Sequence, residues 1–529
     1  MMRVKTDCLI VGGGLAGWMA ATQTAEAGLS TLMLHDGCGA SPWVHGFNVP
    51  IRKGDGADIF FEDTLRNGQG LSRPELARAL CYDAQDIFYA MQELGLIFNK
   101  DGEEYQALRP LGASFPRVVS IGNETGVAIL KRLEECYGKY VQQCPATRAI
   151  RLLKEGERVA GALAYDKQKK EWIIVEAKAV ILASGGYCGI YPFSTNKHDS
   201  GGDGIAMAIH AGAMLCDLEF IQFEPSGAVY PPALHGTSMI TTLFFEGAVL
   251  RNRQGERFML RHGKEGECVA KDILAYCIAA EIAQGNGTEH DGVYMDLTQV
   301  DAKTLQHDYG MYVERYANVG IDLTTEWIEL APAPHTSLGG VCIDADGRTN
   351  VEGLFACGEV IGGLHGANRI GGNAGLETLV FGRRAGRACA MYAEKASTIV
   401  PKVDQLPFGT PLKNIDKTLR TQMQCALQEG VGVVREEVTL ASACEKLNDV
   451  LQETQLLTGA SSQEQYTVAR LYNDALCALL TAQAARLRTE SLGCHIRSDA
   501  TGEAEPCYRL TLKTSQTGEI EWAKERADT

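Results

Sequence analysis

The sequence is poor in the features that mark metal-cluster, membrane and nucleic-acid-binding proteins. Its 17 cysteines are scattered, and no two are closer than Cys136 and Cys144, so the chain contains no C-x-x-C pair. Iron–sulfur clusters and zinc sites need tighter groups of ligands, which predicts that this chain holds neither and has no metal site. Scattered thiols in apolar segments are typical of a reduced, cytoplasmic protein.

Long apolar runs and excess positive charge are also absent. No run approaches the roughly 20 apolar residues that span a bilayer, and the first residues read directly as a strand, so we expect neither direct membrane insertion nor a secretory leader. The formal net charge is −16 and no basic stripe occurs, which argues against nucleic acid as a partner. The 529 residues exceed what one hydrophobic core usually holds, so several domains are expected.

Glycine is abundant, and its first cluster lies near the start of the chain. Residues 7–17 read DCLIVGGGLAG, an apolar strand that runs into G-x-G-x-x-G and then a helix pattern. A second apolar strand follows at 30–36. Strand, glycine turn, helix and strand in this order predict dinucleotide binding, with a pyrophosphate at the amino end of the helix. The side chain that holds the ribose is left open between His35 and Asp36, which both end the second strand.

A second glycine cluster lies far along the chain. Residues 353–377 read GLFACGEVIGGLHGANRIGGNAGLE, which leaves almost no room for bulky side chains. Such a run alone is compatible with a plain loop, but together with the amino-terminal fingerprint it indicates a large cofactor held from both ends. Residues 177–191 run from an apolar strand into a further glycine turn and predict another contact with that cofactor.

The remaining patterns predict an α/β fold with additional domains. A Rossmann-like cofactor domain is interrupted by an α+β capping domain with shorter strands, and helical patterns then dominate up to a polar strand or tail. We predict cofactor-domain segments 1–225 and 341–400, the capping domain at 226–340, a helical domain at 401–500 and a C-terminal tail at 501–529. Within the helical domain, helices are predicted at 413–428, 436–455 and 463–489.

Seven stretches, in order along nearly the whole chain, carry a family resemblance. They are VGGGLAG (11–17), ILASGGYCGIYPFSTN (181–196), GGDGIAMAIHAGAMLCDLEFIQFEPSG (201–227), EGAVLRNRQGERFM (246–259), HTSLGGV (335–341), GLFACGEVIGGLHGANRIGGN (353–373) and RLRTESLGCHIRSD (486–499). By these motifs the chain resembles the flavoprotein subunit family of fumarate reductase and succinate dehydrogenase, which includes L-aspartate oxidase. HGANR-x-GGN is the most specific of them.

The resemblance implies FAD as the cofactor, in a Rossmann-like FAD-binding domain. It places the first glycine cluster on the pyrophosphate, and Asp203 and Glu359 on the cofactor, where a carboxylate can accept two hydroxyl hydrogen bonds. It also places the turn at 373–376 over the carbonyl edge of the flavin, at the start of a helix whose dipole favours anionic reduced flavin. The expected FAD contacts are Gly12, Gly14, Leu15, Ala16, Gly17, His35, Asp36, Ser41, His45, Gly46, Ala183, Asp203, Glu359, Asn373, Ala374 and Leu376.

The resemblance also bears on how FAD is attached. Respiratory members bond a histidine in the loop after the second strand covalently to the flavin. An ungapped match of SPWVHGF to that loop puts Ala40 at this position. We therefore predict non-covalent FAD, and we interpret His45, which falls where the family has glutamine, as a neighbour of the flavin.

His335 and Arg369 match the family pair that holds one carboxylate of the substrate. Arginine offers a planar, two-pronged donor and histidine adds a third hydrogen bond. The other flank departs from the family: Glu224 replaces the histidine of QFHPTG, and Phe244 replaces the arginine of RGEG that delivers a proton. The glutamate upstream of that motif is missing as well, near Ile240 and Thr241. His335, Arg369 and Glu224 are the predicted catalytic residues, and His365 is interpreted as structural.

These departures predict a changed substrate. A carboxylate close to an ionised Glu224 in a dry site costs several kcal/mol of like-charge repulsion. We therefore expect a substrate with one carboxylate, whose far end is apolar or aromatic, or carries a hydrogen-bond donor or a cation for Glu224. The hypothesis is a FAD enzyme that transfers a hydride between the flavin and the Cα–Cβ bond of a small-molecule carboxylate other than a simple C4 dicarboxylate. Glu224, Tyr230 or a water are candidate proton sources, and Tyr312 and Arg315 are further candidates for the site.

Three alternatives stay open at this stage. The chain can be the flavoprotein subunit of an electron-transfer complex, with an iron–sulfur or other redox partner protein. It can be an L-aspartate oxidase, although the missing arginine argues against this. A remodelled pocket that no longer catalyses any reaction is the third alternative.

Overall fold

The computed structural model describes residues 2–401, 417–457, 459–500, 507–515 and 517–527. The helices are α1 (Leu15–Glu26), α2 (Ala57–Asn67), α3 (Pro74–Glu93), α4 (Thr125–Tyr137), α5 (Asp203–Ala211), α6 (Lys271–Glu281), α7 (Ala302–Asp308), α8 (Gly310–Ala317), α9 (Asn373–Ala393), α10 (Lys417–Gly430), α11 (Glu437–Leu456) and α12 (Ser462–Leu487). The strands are β1 (Met2–Val11), β2 (Thr31–His35), β3 (Phe47–Asn48), β4 (Lys100–Asp101), β5 (Glu104–Tyr105), β6 (Val118–Val119), β7 (Val141–Pro145), β8 (Thr147–Glu155), β9 (Arg158–Asp166), β10 (Glu171–Leu182), β11 (Leu215–Cys216), β12 (Ile221–Tyr230), β13 (Val249–Arg251), β14 (Val293–Asp296), β15 (Ile328–Ser337), β16 (Gly340–Val341), β17 (Leu354–Ala356), β18 (Val434–Arg435), β19 (Ile496–Arg497), β20 (Tyr508–Thr514) and β21 (Ile520–Arg526).

The cofactor domain is built on a sheet in the order β7-β2-β1-β10-β9-β8, with β17 paired to β10. Strands β7, β2, β1, β10 and β17 are parallel, so their carboxyl ends meet at one edge, where both glycine clusters begin. The strand patterns around 146–153, 158–166 and 171–177 predict a meander, and β8 and β9 form it with β10 in antiparallel pairing. Helices α1 and α9 pack closely beside this edge, since a Cβ on Gly382 would lie 2.6 Å from the Ala16 carbonyl oxygen. The predicted α/β fold class is confirmed.

The capping domain has its own antiparallel sheet, in the order β12-β15-β14-β13. A separate apolar core, which includes Leu243, Phe244, Leu274 and Tyr316, lies beneath it. Strands β12 and β15 pair along their length and carry Gln222, Glu224 and His335, so they bring the capping domain to the cofactor domain.

The carboxyl-terminal part is more integrated than a helical domain with a tail. Helices α11 and α12 appear as predicted, and α10 covers the described part of the helix predicted at 413–428; residues 413–416 lie outside the described residues. Residues 501–529 were assigned to a tail, but their described part forms the hairpin β20–β21, which joins β16 and β11 in a four-stranded sheet. Residues 501–506 of that segment lie outside the described residues. Among the described helices, none combines the length and apolar character of a membrane span.

Candidate active site

A cavity of about 710 Å³ opens at the carboxyl edge of the cofactor sheet and reaches the capping domain. This volume lies within the usual range for cofactor and ligand sites. The structure brings most of the predicted residues onto its wall: Gly12, Gly14, Ala16, His35, Asp36, Ser41, His45, Gly46, Ala183, Asp203, Glu224, His335, Glu359, Arg369 and Ala374. Residues predicted from distant parts of the chain thus share one cavity.

Four predicted cofactor residues lie behind the cavity wall: Leu15, Gly17, Asn373 and Leu376. The backbone N–H of Leu15 donates to Ser41 Oγ at 2.9 Å. The Oδ1 of Asn373 accepts from Asn48 Nδ2 at 2.6 Å, and Leu376 is fully buried. These residues stabilise the two glycine turns, and their side chains do not line the cavity.

The nucleotide end of the cavity is closed by tight backbone packing. Gly12 has a φ of 122°, and a Cβ there would lie 2.1 Å from the Ala183 carbonyl oxygen. At the end of β2, Asp36 pairs with Lys167 at 2.8 Å. Burial lowers the pKa of His35, so the ring of this side chain is neutral at physiological pH.

Asp203, at the start of α5, is held from two domains. Its Oδ2 accepts from Arg148 Nε at 2.6 Å, and its Oδ1 accepts from Asn473 Nδ2 on α12 at 2.8 Å. The carboxylate is therefore fixed in orientation. The helical domain contributes to the cofactor site through this contact.

The opposite end of the cavity suits the flavin. Helix α9 begins directly after Gly372, which has a φ of 84°, and Gly371, Gly372 and Ala374 line the cavity at its amino end. The Oε1 of Glu359 accepts from the Ser337 N–H at 3.1 Å, and burial raises the pKa of Glu359 to about 7. The hydroxyl of Ser184 is buried on this wall without a hydrogen-bond partner. These groups, the glycine cradle and the cavity volume fit FAD.

His45 is fixed by the capping domain. Its Nε2 lies 2.7 Å from the hydroxyl of Tyr312 on α8. Burial, helped by the nearby Arg315 charge, lowers the pKa of His45 to about 4, so this ring is neutral. Ala40 also lines the cavity.

Arg369 places a buried guanidinium on the cavity wall. It is 5% exposed, and it has no ion pair with any acid among the described residues. Its Nη2 donates to Thr336 Oγ1 at 3.4 Å and its Nη1 to the Ile370 carbonyl at 3.3 Å, both long contacts. Its Nε has no hydrogen-bond partner. A buried charge is costly without a partner, so the site is built to receive an anion.

His335 lies beside this arginine on β15. Its Nδ1 lies 2.9 Å from Thr195 Oγ1, and its Nε2 lies 3.9 Å from a Glu224 carboxylate oxygen. Burial lowers the pKa of His335 to about 3, so the ring is neutral. The adjacent carboxylate favours the tautomer with the proton on Nε2.

Glu224 is paired with a residue that the sequence analysis missed, Lys271. The Lys271 Nζ donates to Glu224 Oε2 at 2.5 Å, and Ser226 Oγ donates to Oε1 at 3.1 Å. Burial alone raises the pKa of Glu224, but the Lys271 charge and the hydrogen bonds from Lys271 and Ser226 oppose it, and the pKa lies below its usual value. Burial lowers the pKa of Lys271, with Glu224 opposing the shift. Both side chains line the cavity.

Hydrogen bonds connect this pair to the arginine. The Gln222 Nε2 on β12 donates to the Arg369 carbonyl at 3.0 Å and to Asn368 Oδ1 at 2.8 Å. The Asn368 Nδ2 in turn donates to Asp272, the neighbour of Lys271, at 2.9 Å. The first turn of α6 and the HGANR turn are therefore held in a fixed relation.

Comparison with known proteins identifies the family. A model of the FAD binding domain matches residues 7–374, which is more than half of the chain, and a model of the fumarate reductase flavoprotein C-terminal region matches 420–524. This chain belongs to the fumarate reductase and succinate dehydrogenase flavoprotein family. The flavoprotein is thus a FAD-dependent oxidoreductase, and the predicted family, cofactor and enzyme class are confirmed.

Its relatives carry different names. A fumarate reductase (CoM/CoB) subunit from Methanothermobacter marburgensis is 34% identical, with 96% of each chain covered. L-aspartate oxidase 2 from Ralstonia nicotianae is 31% identical over 95% of this chain and 92% of its own. Among solved structures, Mycobacterium smegmatis Sdh1 has 27% identity and a TM-score of 0.86, with 99% of this flavoprotein and 95% of that chain covered. The E. coli quinol fumarate reductase FrdA shares the fold, with a TM-score of 0.91 at 24% identity and coverage of 99% and 97%.

The structure shows which of the remaining candidate residues of this flavoprotein line the cavity. Tyr312 and Arg315 line the cavity, whereas Tyr230 does not: its ring is 41% exposed and stacks on His290 at 4.3 Å. Tyr230 is thereby excluded as a proton source. Phe244 lies in the capping core away from the cavity wall, so it adds no apolar bulk to the pocket. His365 is buried against Glu377 at 3.1 Å, in agreement with its structural interpretation.

Proposed function

We propose that this flavoprotein transfers a hydride between non-covalently bound FAD and the Cα–Cβ bond of a carboxylate substrate that is not a simple C4 dicarboxylate. One observation carries the proposal: the buried Arg369, without an acidic partner among the described residues, lies with neutral His335 on the wall of the cavity that fits FAD. When bound, FAD supplies the hydride chemistry, and the protein supplies orientation and charge.

Arg369 and His335 bind the substrate carboxylate in this proposal. The guanidinium of Arg369 and the Nε2–H of His335 are the hydrogen-bond donors on the cavity wall for such a carboxylate. Charge-assisted hydrogen bonds of this kind are short and directional, so they fix the adjacent carbon–carbon bond in the cavity. They also draw negative charge toward the carboxylate, which favours addition at the β carbon.

Lys271 holds the proton. Its ammonium lies on the cavity wall against Glu224, and burial makes it a stronger acid than an exposed lysine. In the direction of reduction it donates a proton to the α carbon, and in the direction of oxidation its free amine accepts that proton. Glu224 keeps the ammonium in place and stabilises its charged form.

The same pair supports the exclusion of C4 dicarboxylates. The charge of Lys271 is already matched by Glu224, so a second carboxylate brought to this flank meets an ionised Glu224 without a free cation. The far-end cation that the sequence suggested for Glu224 has no place here either, since Lys271 already occupies it.

The test is a ligand titration of Arg369→Ala. In the wild type, 2-enoates are expected to shift the flavin absorbance, while fumarate, succinate and L-aspartate shift it weakly and turn over slowly. Arg369→Ala should retain FAD and lose the response to every carboxylate, whereas the exposed-turn variant Arg348→Ala serves as a charge-matched control. An unchanged response in Arg369→Ala would refute the carboxylate assignment.

A second candidate is a flavoprotein subunit that exchanges electrons with an iron–sulfur partner protein. It is favoured by the relative from Methanothermobacter marburgensis, which is named as one of the subunits of a fumarate reductase. Co-purification of a brown iron–sulfur protein from the native source would support it. The relatives named L-aspartate oxidase favour a third candidate, which steady-state turnover of L-aspartate tests directly.

A further inference from the structure

Arg315 is a second guanidinium on the cavity wall. It lies on α8 of the capping domain, half-buried, and lines the same cavity as Arg369. Its Nη1 donates to the Ser238 carbonyl at 3.3 Å, and its Nη2 lies 4.0 Å from Met311 Sδ. Among the described residues no acid lies within ion-pair distance of it. The reaction outlined above makes no use of this arginine.

The position of Arg315 is fixed by contacts within the protein. Its guanidinium stacks on the Tyr312 ring at 5.2 Å, and that ring is 3% exposed and hydrogen-bonded to His45. The neighbouring Tyr316 anchors α8 in the capping core. The hydrogen bonds of this guanidinium go to the Ser238 carbonyl from Nη1 and to the Met311 sulfur, a weak acceptor, from Nη2. The edge formed by Nε–H and Nη2–H therefore has no oxygen acceptor in the described protein, and this is the two-pronged edge that binds a carboxylate.

Several of the charges along the cavity are matched by ion pairs. Asp36 pairs with Lys167 and Asp203 with Arg148 at the nucleotide end, and Glu224 pairs with Lys271 near the capping domain. Of the arginines that line the cavity, Arg369 and Arg315 have no ion pair within the described parts of the chain. Two unmatched guanidinium groups on a partly desolvated wall are complementary to two anionic groups.

We propose that Arg315 binds a second carboxylate of the substrate, at a distance from the one held by Arg369. This inference rests on the proposed function and narrows its substrate class to an α,β-unsaturated acid with a remote second acidic group. The capping-domain wall that carries Arg315 includes the apolar side chains of Met239, Ile240 and Met311 among hydroxyl residues, and these apolar side chains suit a methylene chain. Such a substrate is longer than a C4 diacid, and its second carboxylate avoids Glu224.

The experiment compares ligands that differ only in the remote group. The FAD-loaded wild type is titrated with 2-enedioates of five to eight carbons and with the 2-enoates of the same chain length, and flavin absorbance is recorded. At the preferred length the diacid should bind at least about tenfold more tightly, the effect expected of one hydrogen bond to a charged group. Arg315→Met should remove this difference and leave the monoacid affinity unchanged, while Arg315→Lys should keep part of it.

The outcomes separate this inference from the proposed function. Equal binding of diacid and monoacid by the wild type at every length would overturn the inference, and so would a diacid preference that survives in Arg315→Met. Loss of FAD from Arg315→Met would assign the arginine to the cofactor and overturn it as well. Arg348→Met should behave as wild type. The proposed function fails on a different result, unchanged ligand response in Arg369→Ala.

Discussion

The buried pair of Glu224 and Lys271 allows a proton donor to be distinguished from a structural residue. Lys271→Met removes the proposed donor, but it also leaves the 4% exposed Glu224 without its cation. Breaking a buried ion pair from one side costs about 3–5 kcal/mol, whereas replacing both charges is close to neutral. A single variant therefore cannot decide the role of the lysine, and the double variant Glu224→Gln/Lys271→Met is needed.

The expected rates follow from this comparison. Lys271→Met should be less stable than wild type by about 3–5 kcal/mol, and the double variant should recover most of that loss. Loss of a general acid slows proton transfer by about 10²–10⁴-fold, so the double variant should fold well and still reduce substrate slowly. Lys271→Arg keeps the positive charge next to Glu224, but arginine is a much weaker acid than lysine. This variant therefore distinguishes the effect of the charge from the effect of proton donation.

Glu224→Gln alone adds a pH signature. Glu224 raises the pKa of Lys271 against the effect of burial, so its neutralisation leaves burial unopposed and lowers that pKa further. The lysine then loses its proton at a lower pH. The alkaline limb of the reduction rate should move to lower pH in this variant, while the acidic limb stays in place.

The assay is single-turnover oxidation of photoreduced holoenzyme by the most reactive 2-enoate, followed by flavin absorbance across pH and in deuterated buffer. Chemical denaturation of each variant supplies the free energy of unfolding. Wild-type rates in the double variant would refute the role of Lys271 as proton donor, because no amine would remain on that wall. A slow double variant with an unchanged solvent isotope effect would also refute it.

Two further predictions concern FAD. Acid precipitation of the holoenzyme should release all flavin into the supernatant, because Ala40 stands where a covalent histidine would be; yellow colour in the pellet would contradict this. Burial raises the pKa of Glu359 to about 7, above its ordinary value, so in the FAD-free protein this group stabilises the fold below pH 4.5 and loses that contribution as the pH rises to about 7. Between pH 4.5 and pH 8, the effect of Glu359→Gln on the free energy of unfolding of the FAD-free protein should therefore become more favourable by at most about 3 kcal/mol. The substitution should also weaken FAD binding. Parallel pH profiles of the two proteins in thermal unfolding would contradict the assignment.

The cofactor half of the molecule was predictable because its signals are local. Strand, glycine turn, helix and strand succeed one another within the first 36 residues, and β1, α1 and β2 follow that pattern closely. The apolar run that ends at Leu182 and the three-strand meander before it are equally local. Close backbone packing, such as that of Gly12 against Ala183, is also visible in the sequence, because only glycine fits at such a position.

Contacts between distant segments were not predictable. The hairpin β20–β21 pairs with β11 across almost 300 residues, and nothing in its polar sequence indicates that it completes a sheet. Lys271 stands at the first position of α6, where a lysine is ordinarily an exposed residue. Arg315 was a candidate for the site from the sequence, but the sequence did not indicate its lack of an acidic partner. Their roles arise from the cavity that the fold creates around them.

Glu224 shows why a departure from a family pattern has to be considered together with its neighbours in space. Taken alone, a carboxylate in place of a histidine predicts repulsion of a substrate anion and an attraction for cations. With Lys271 at 2.5 Å, the negative charge of this carboxylate is balanced by the lysine ammonium, so this flank of the cavity carries no net charge. Anion selection then falls to the unmatched guanidinium groups, Arg369 on the cofactor domain and Arg315 on the capping domain. Because the two arginines belong to different domains, the substrate is held across the domain boundary, and its length is set by how the capping domain packs.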